Sequence, residues 1–309
     1  MKKALVLAAV ALLLVFVSSC RTAAPPDTTA PQVVSLDPAA GAVGVTKTAS
    51  ISIVFNEPMD TASVEAAYSS DSEGIKPGQV TFTWQDDDKK LVVTPAAELA
   101  YSPNADFLTY SFVIGAGAQD KAGNPLATAV SSSFSTMRSL YAQLEGEAAL
   151  DGSVAVYGSA VTDRDSIFVG EDDGGASSKA FFSFPLKDLP ADAESIKWAE
   201  LEVYTVSAHD PDNDHCRLDL VDYGESLDGD DYALAALGEM PVFPSRVAGW
   251  SKYGLTGWVQ QRFTAGSAHF QVRFDYLGSG DGVTEYGYRF NSADADDYRP
   301  VLKVVYYGP

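Results

Sequence analysis

Cysteine, histidine and basic residues are what this chain of 309 residues has little of: two Cys, three His, and 21 Lys and Arg against 42 Asp and Glu. Two cysteines, Cys20 and Cys216, cannot build a disulfide framework, so apolar cores must hold the fold. The formal charge of −21 sets the chain against phosphate backbones and anionic headgroups, which argues against nucleic-acid binding and adsorption to a lipid surface. Catalytic motifs are missing too. No Gly-x-Ser-x-Gly elbow, His-Glu-x-x-His pair or phosphate-cradling Walker loop occurs. A glycosidase needs two facing carboxylates at a set separation, and with this many acids spacing alone singles out no pair. The sequence therefore reads as non-enzymatic. Long apolar runs are also scarce: Ala4 to Val17 is unbroken but shorter than the ~20 residues that span a bilayer.

That run is the most informative stretch. Lys2 and Lys3 precede it, and Val17-Ser18-Ser19-Cys20 closes it, the layout of an export signal. The closing tetrapeptide resembles the bacterial lipobox, which implies a signal over residues 1–19 and acylation of Cys20 as the mature N-terminus. An ordinary signal peptide or an uncleaved anchor is the alternative. Loss of residues 1–19 removes Lys2 and Lys3 and no acid, bringing −21 to −23. Two or more acyl chains make a stable anchor, so lipidation implies an exported protein held at the outer membrane or cell surface. Arg21, where Asp would resemble an inner-membrane retention signal, favours that placement. Residues 20–31, with Pro25, Pro26 and Pro31, read as the lipidated Cys and a stiff extended tether. With Cys20 committed to lipid, Cys216 has no disulfide partner; in CRLDLV it reads as a buried small hydrophobe.

Residues 32–136 alternate with period two. Ile51, Ile53 and Phe55, then Val80, Phe82 and Trp84, then Leu91 and Val93, then Tyr110, Phe112 and Ile114 mark half-buried antiparallel strands. Turn signals separate them at Asp37-Pro38, Lys76-Pro77-Gly78, Asp86-Asp87-Asp88 and Ala122-Gly123-Asn124-Pro125. This pattern predicts a β-sandwich. The segments APQVVSLDPAAGAVGV, ISIVFNEPMD, KLVVTPAAELAYSP, DKAGNPLA and SSSFST, in that order, resemble the bacterial Ig-like domain. The resemblance implies a spacer or adhesion module, with Pro38 and Gly44 at the first bend and Phe55 and Trp84 in the core.

Residues 137–151 read as a linker, helical or irregular. Strand patterning resumes over 152–309: Ile167 and Val169, Phe181 to Phe184, Leu201, Val203 and Thr205 against Glu200, Glu202 and Tyr204, Phe270, Val272 and Phe274, and a closing run from Val301. One helix is expected over Thr256–Phe263, with Thr256 as N-cap and Trp258, Val259 and Phe263 on one face. The order SIFVGEDDGGASSKAFFSFPLKDLP, IKWAELEVY, GLTGWVQQRFTAGSAHFQVRF and YRFNSADADDYRPVLKVVY resembles the DNRLRE, or disaggregatase-related, jelly-roll module, grouped with carbohydrate-binding modules. It implies a second sandwich that binds glycans or stabilises surface arrays. Residues 222–248 are longer and more irregular than the family pattern. The fold class expected is all-β, two β-sandwiches in tandem.

Two acidic constellations could hold a structural calcium; no other cofactor is expected. Asp210, Asp212 and Asp214 open like a calcium loop, but His215 and Val221 stand where Gly and Glu belong. Asp163, Asp165, Asp294 and Asp296 flank strands near both ends of the second module, and an Asx-turn role competes with metal binding. His269 reads as structural. For glycan stacking the candidates are Trp250, Tyr253, Tyr276, Tyr286 and Tyr288, with Arg273 and Arg289 as polar partners; half-buried strand positions are the competing reading. The expectation is a non-catalytic surface protein that binds a polysaccharide or surface glycoconjugate through the C-terminal module, with the first module as spacer and surface proteins as further partners. The alternative is a structural part of a surface assembly, and a polysaccharide-active hydrolase or lyase comes third.

Overall fold

The computed structural model describes residues 25–210, 216–278 and 280–309; Cys20, Asp212 and Asp214 lie outside them. Alternation along the chain becomes strands: β1 (Val33–Asp37), β2 (Ala42–Val45), β3 (Ile51–Phe55), β4 (Tyr68–Ser69), β5 (Val80–Gln85), β6 (Lys90–Pro95), β7 (Thr109–Ile114) and β8 (Val130–Thr136) form the N-terminal module. Its two sheets, in orders β1-β3-β6-β5 and β2-β8-β7-β4, enclose a core that includes Ile51, Ile53, Phe55, Leu91, Phe112 and Phe134. Phe55 is buried and Trp84 stacks on it at 6.2 Å, as expected of core positions. The Asp86-Asp87-Asp88 turn takes three successive left-handed residues, a conformation that Asp tolerates better than most side chains. Asp120 closes the last hairpin, its Oδ1 accepting from the backbone of Ala122 (2.7 Å) and Asn124 (2.9 Å). Helix α1 (Thr61–Ala67) starts from an Asp60 cap.

The C-terminal module holds β9 (Arg138–Glu145), β10 (Gly152–Ala155), β11 (Ala160–Val161), β12 (Ser166–Glu171), β13 (Ser177–Pro185), β14 (Ser195–His209), β15 (Cys216–Val221), β16 (Gly238–Val242), β17 (Gly249–Gly254), β18 (His269–Tyr276), β19 (Tyr286–Asn291) and β20 (Val301–Gly308). The main path is β16-β15-β18-β13-β12-β19-β14-β20-β9, with β17 on β14 and β10 on β13. Residues from both ends of the path, such as Leu218 and Phe274 with Leu201 and Val304, share one core, so the path closes over itself as a sandwich. At one crossing Gly170 and Gly287 face each other between β12 and β19. Both have positive φ, and a Cβ on Gly287 would sit 2.1 Å from the Val169 carbonyl oxygen. Only glycine fits there.

Several expectations need correcting. Residues 138–145 are not a linker but edge strand β9, registered on β20 from Arg138↔Gly308 to Glu145↔Val301. Leu140, Ala142 and Leu144 point into the core, a period-two pattern hidden by good helix formers. The two modules are therefore joined through Met137 alone, between β8 and β9. Arg138 spans the junction, donating to the Pro309 carbonyl (3.0 Å) and the Ala105 carbonyl (2.9 Å). Residues 27–31 of the expected tether lie on the first module: the Asp27 carbonyl accepts from Asn124 Nδ2 at 3.1 Å, and Pro31 is buried. Helix α2 (Thr256–Thr264) is present, but Leu255 occupies the cap position. Thr256 Oγ1 instead accepts from the Ala199 amide at 3.0 Å, tying α2 to β14.

Candidate functional site: an aromatic and charged sheet face

β14, β17, β20 and β9 present one face to the core and the other to solvent. The register sets what the outer face carries. Tyr204 pairs with Trp250 and Glu202 with Lys252; Glu202 also pairs with Val301, Glu200 with Lys303 and Trp198 with Val305. Across the next gap, Val301 meets Glu145, Lys303 meets Gln143 and Val305 meets Tyr141. Period two along each strand keeps these side chains on one side while Leu201, Val203, Leu302 and Val304 are buried on the other.

At one end of this face lies a groove of about 510 Å³ whose lining includes Gln143, Glu202, Trp250, Tyr298 and Lys303. Tyr298 stacks on Tyr204 with centroids 4.5 Å apart and planes at 14°, and Trp250 meets both edge-on. Trp250 and Tyr298 remain 40% and 55% exposed, so their rings are open to a ligand. Tyr298 has φ 56°, rare for a bulky residue and a mark of local strain. Asn291 Nδ2 holds the turn by donating to the Asp297 carbonyl at 2.8 Å.

Beside the rings, Glu202 Oε1 accepts from Lys252 Nζ at 2.5 Å and from Lys303 Nζ at 2.8 Å. Burial pushes the Glu202 carboxyl pKa up, but the two lysines outweigh it and the net shift is downward. Lys303 is held above its ordinary range, first by the hydrogen bond to Glu202. Glu202 is thus a carboxylate already occupied by two ammonium groups, unsuited to donate a proton at neutral pH.

Of the seven glycan candidates, only Trp250 lines this groove. Tyr253, Tyr276, Tyr288 and Arg273 are buried, and a buried ring cannot stack on a sugar. Tyr276 and Tyr288 donate to the two carboxylate oxygens of buried Asp210, at 3.1 and 2.7 Å. Arg273 grips buried Asp219 through Nε (3.1 Å) and Nη2 (2.5 Å), and its Nη1 donates to the Leu234 carbonyl at 2.8 Å. It thereby ties down part of the irregular 222–248 segment. Tyr286 packs edge-on against His209, and Arg289 pairs with Glu285 over the Phe168 ring.

The metal candidates divide similarly. Asp210 is engaged by the two tyrosines rather than open to a cation. Asp163, Asp165, Asp294 and Asp296 are exposed. Pairing brings their backbones together, with the Ser292 amide donating to the Asp165 carbonyl at 3.0 Å. Yet among the described residues the carboxylates that converge as a group of three are Asp27, Glu57 and Asp120 in the N-terminal module, and both oxygens of Asp120 already serve its turn. Cys216 is fully buried, which pushes its thiol pKa far up. Buried His269 sits 2.6 Å from Glu147, a structural placement.

The N-terminal module can now be placed. Residues 27–136 are a bacterial Ig-like domain. The chain around it is all-β, with sandwich-like sheets. No curated protein matches the chain. Among solved structures, the N-terminal part of the bacterial S-layer protein SbsC is 17% identical, over 52% of this chain and 41% of that one, with TM-score 0.25. The chain thus spans less than half of that structure. Native alpha-2-macroglobulin from Escherichia coli, spanning domains MG0-NIE-MG1, is 10% identical over 84% and 71%, with TM-score 0.28. A structure of carbohydrate-binding modules from the β-sandwich superfamily is 8% identical over 92% and 100%, with TM-score 0.19. At these scores the likenesses carry no argument about ligand or assembly. No described helix is long and apolar enough to cross a membrane.

Proposed function

We propose that the C-terminal module is a non-catalytic carbohydrate-binding module and that the Ig-like domain carries it at a bacterial surface, anchored through lipid on Cys20. One observation supports this most directly: two exposed rings, Trp250 and Tyr298, rim a groove lined also by Lys303, Arg299, Gln143 and the carboxylates of Glu145, Glu202, Asp296 and Asp297. Sugar rings present apolar faces that pack on aromatics, and hydroxyls that charged and amide side chains hydrogen-bond. The DNRLRE resemblance points the same way. The groove's most enclosed carboxylate, Glu202, is paired with two lysines and offers acid–base hydrolysis no free proton donor, while the calcium candidate Asp296 lines the same groove.

The test is a glycan array probed with the protein in calcium and again in chelator. Saturable binding is expected in both, reduced by Trp250→Ala and by Tyr298→Ala. Absence of binding to every polysaccharide would shift the reading to a structural element of a surface assembly. That second reading draws on the junction, where one residue joins β8 to β9 and Arg138 clamps both modules.

A further inference from the structure

The outer sheet face does not end at the groove. Following β14 from Tyr204 back to Trp198, the register brings a second aromatic row into line: Trp198, Val305 and Tyr141, side by side on three strands. Trp198 is 38% exposed and Tyr141 57%. This row lies next to the junction, where the neighbouring Lys197 donates to the Pro103 carbonyl of the Ig-like domain at 3.1 Å. Six residue steps of strand lead from Trp198 to Tyr204, roughly 20 Å at the usual rise, a span of several sugar rings.

Between the two aromatic rows lie two charged rows. One holds Glu200, Lys303 and Gln143; the other holds Lys252, Glu202 and Glu145 around Val301. Both signs alternate over a few ångströms, which suits hydroxyls that donate and accept at once. No basic stripe exists here to overcome the net charge of −21 on the whole chain, so a polyanion meets repulsion at long range and no compensating cluster at contact.

Resting on the carbohydrate reading above, we propose that the ligand is an uncharged linear polysaccharide lying along β14 and β20. Its two ends of contact are a distal aromatic subsite (Tyr204, Trp250 and Tyr298) and a junction-proximal one (Trp198 and Tyr141). Two subsites on one rigid sheet act as linked contacts: a chain long enough to reach both gains affinity over one that reaches either alone. Short oligosaccharides use the distal groove, and longer chains use both.

The experiment is titration calorimetry of the full chain against neutral linear glucans, xylan and mannan, and against a defined-length series of the best binder from disaccharide to octasaccharide. Affinity is expected to step up once the oligosaccharide spans the face. Trp198→Ala with Tyr141→Ala should then abolish the step, about tenfold in Kd or more, while leaving the short oligosaccharides unchanged. Tyr298→Ala should weaken both. Binding of the polysaccharide should hold from ~0.05 to ~0.5 M salt, a range over which charge-driven contacts are screened. Thermal melting of each variant confirms folding, since the rings changed are solvent-exposed. Failure of the wild-type chain to bind any glycan would overturn the carbohydrate reading and this proposal with it. Binding with no length step, or a step untouched by the Trp198 and Tyr141 changes, would overturn the two-subsite proposal alone. Preferred, salt-sensitive binding of a uronate or sulfated polymer would overturn the uncharged ligand.

Discussion

Asp151→Asn should change how the C-terminal module responds to pH. The Asp151 side chain is fully buried beside the start of β10; Oδ2 accepts from the Ala293 amide at 3.0 Å, and Oδ1 has no partner. Burial, only partly offset by the Ala293 N–H and reinforced by Asp294 and Glu147, raises its pKa from 3.8 to about 8. The folded state thus holds this proton far more tightly than the unfolded chain does. The stability tied to the neutral carboxyl is complete below pH 3.8 and is lost as pH rises towards about 8. At about 1.4 kcal/mol per pKa unit the ceiling is about 6 kcal/mol, or roughly 10 °C or more in Tm. Asparagine keeps the acceptor for Ala293 and has no proton to lose. Its amide places a donor where Oδ1 stood, a pH-independent cost of about 1–3 kcal/mol, so the readout is the pH dependence of the difference. Urea unfolding followed by tryptophan fluorescence, at steps from acid to mildly alkaline pH, should show the wild type losing several kcal/mol relative to the variant. Parallel curves would refute the buried-neutral assignment. Repeating the series with calcium and with chelator tests the structural cation: stabilisation of the wild type by calcium at alkaline pH, absent in Asp151→Asn, would mean that a cation meets the orphaned oxygen.

Gly287→Ala should destabilise the module by about 3 kcal/mol or more, because the new Cβ meets the Val169 carbonyl oxygen and the backbone there has φ 140°; calorimetric melting checks this. Tyr298→Gly should leave Tm unchanged or raised, since glycine relieves the left-handed backbone, yet it should weaken glycan binding as Tyr298→Ala does. Arg273→Met should cost about 1–3 kcal/mol, since buried Asp219 loses one guanidinium but keeps Arg217 on Oδ1 at 2.7 Å, and proteolysis of the 229–234 turn should accelerate. Glu202→Gln should leave the fold intact and weaken polysaccharide binding without making it salt-sensitive, since the two lysines lose the carboxylate that positions them while an uncharged chain brings no charge to screen.

Period-two alternation was enough to find most strands, and at β14 it was enough to tell the faces apart: Leu201, Val203 and Thr205 inward, Glu200, Glu202 and Tyr204 outward. It failed at β9, where Leu140, Ala142 and Leu144 alternate within residues that suit a helix equally well. Only pairing to β20 decides between the two. The glycan candidates failed for a related reason. Tyrosines such as Tyr276 and Tyr288 look alike in sequence whether they face solvent or a buried carboxylate, and their partner, Asp210, lies 66 and 78 residues away. Tyr298 sits in an Asp-rich loop with no periodicity, so nothing local marks it as part of a site.

The sequence by itself determined the all-β class, the Ig-like module, the lack of catalytic motifs and the outward polarity of the central strand, because each depends on short-range pattern or on composition. Which aromatics share a surface was decided by strand register and by the folding of one sheet path over itself. Those are long-range choices, in which a slip of one residue would send every ring on β14 into the core and every core residue into water.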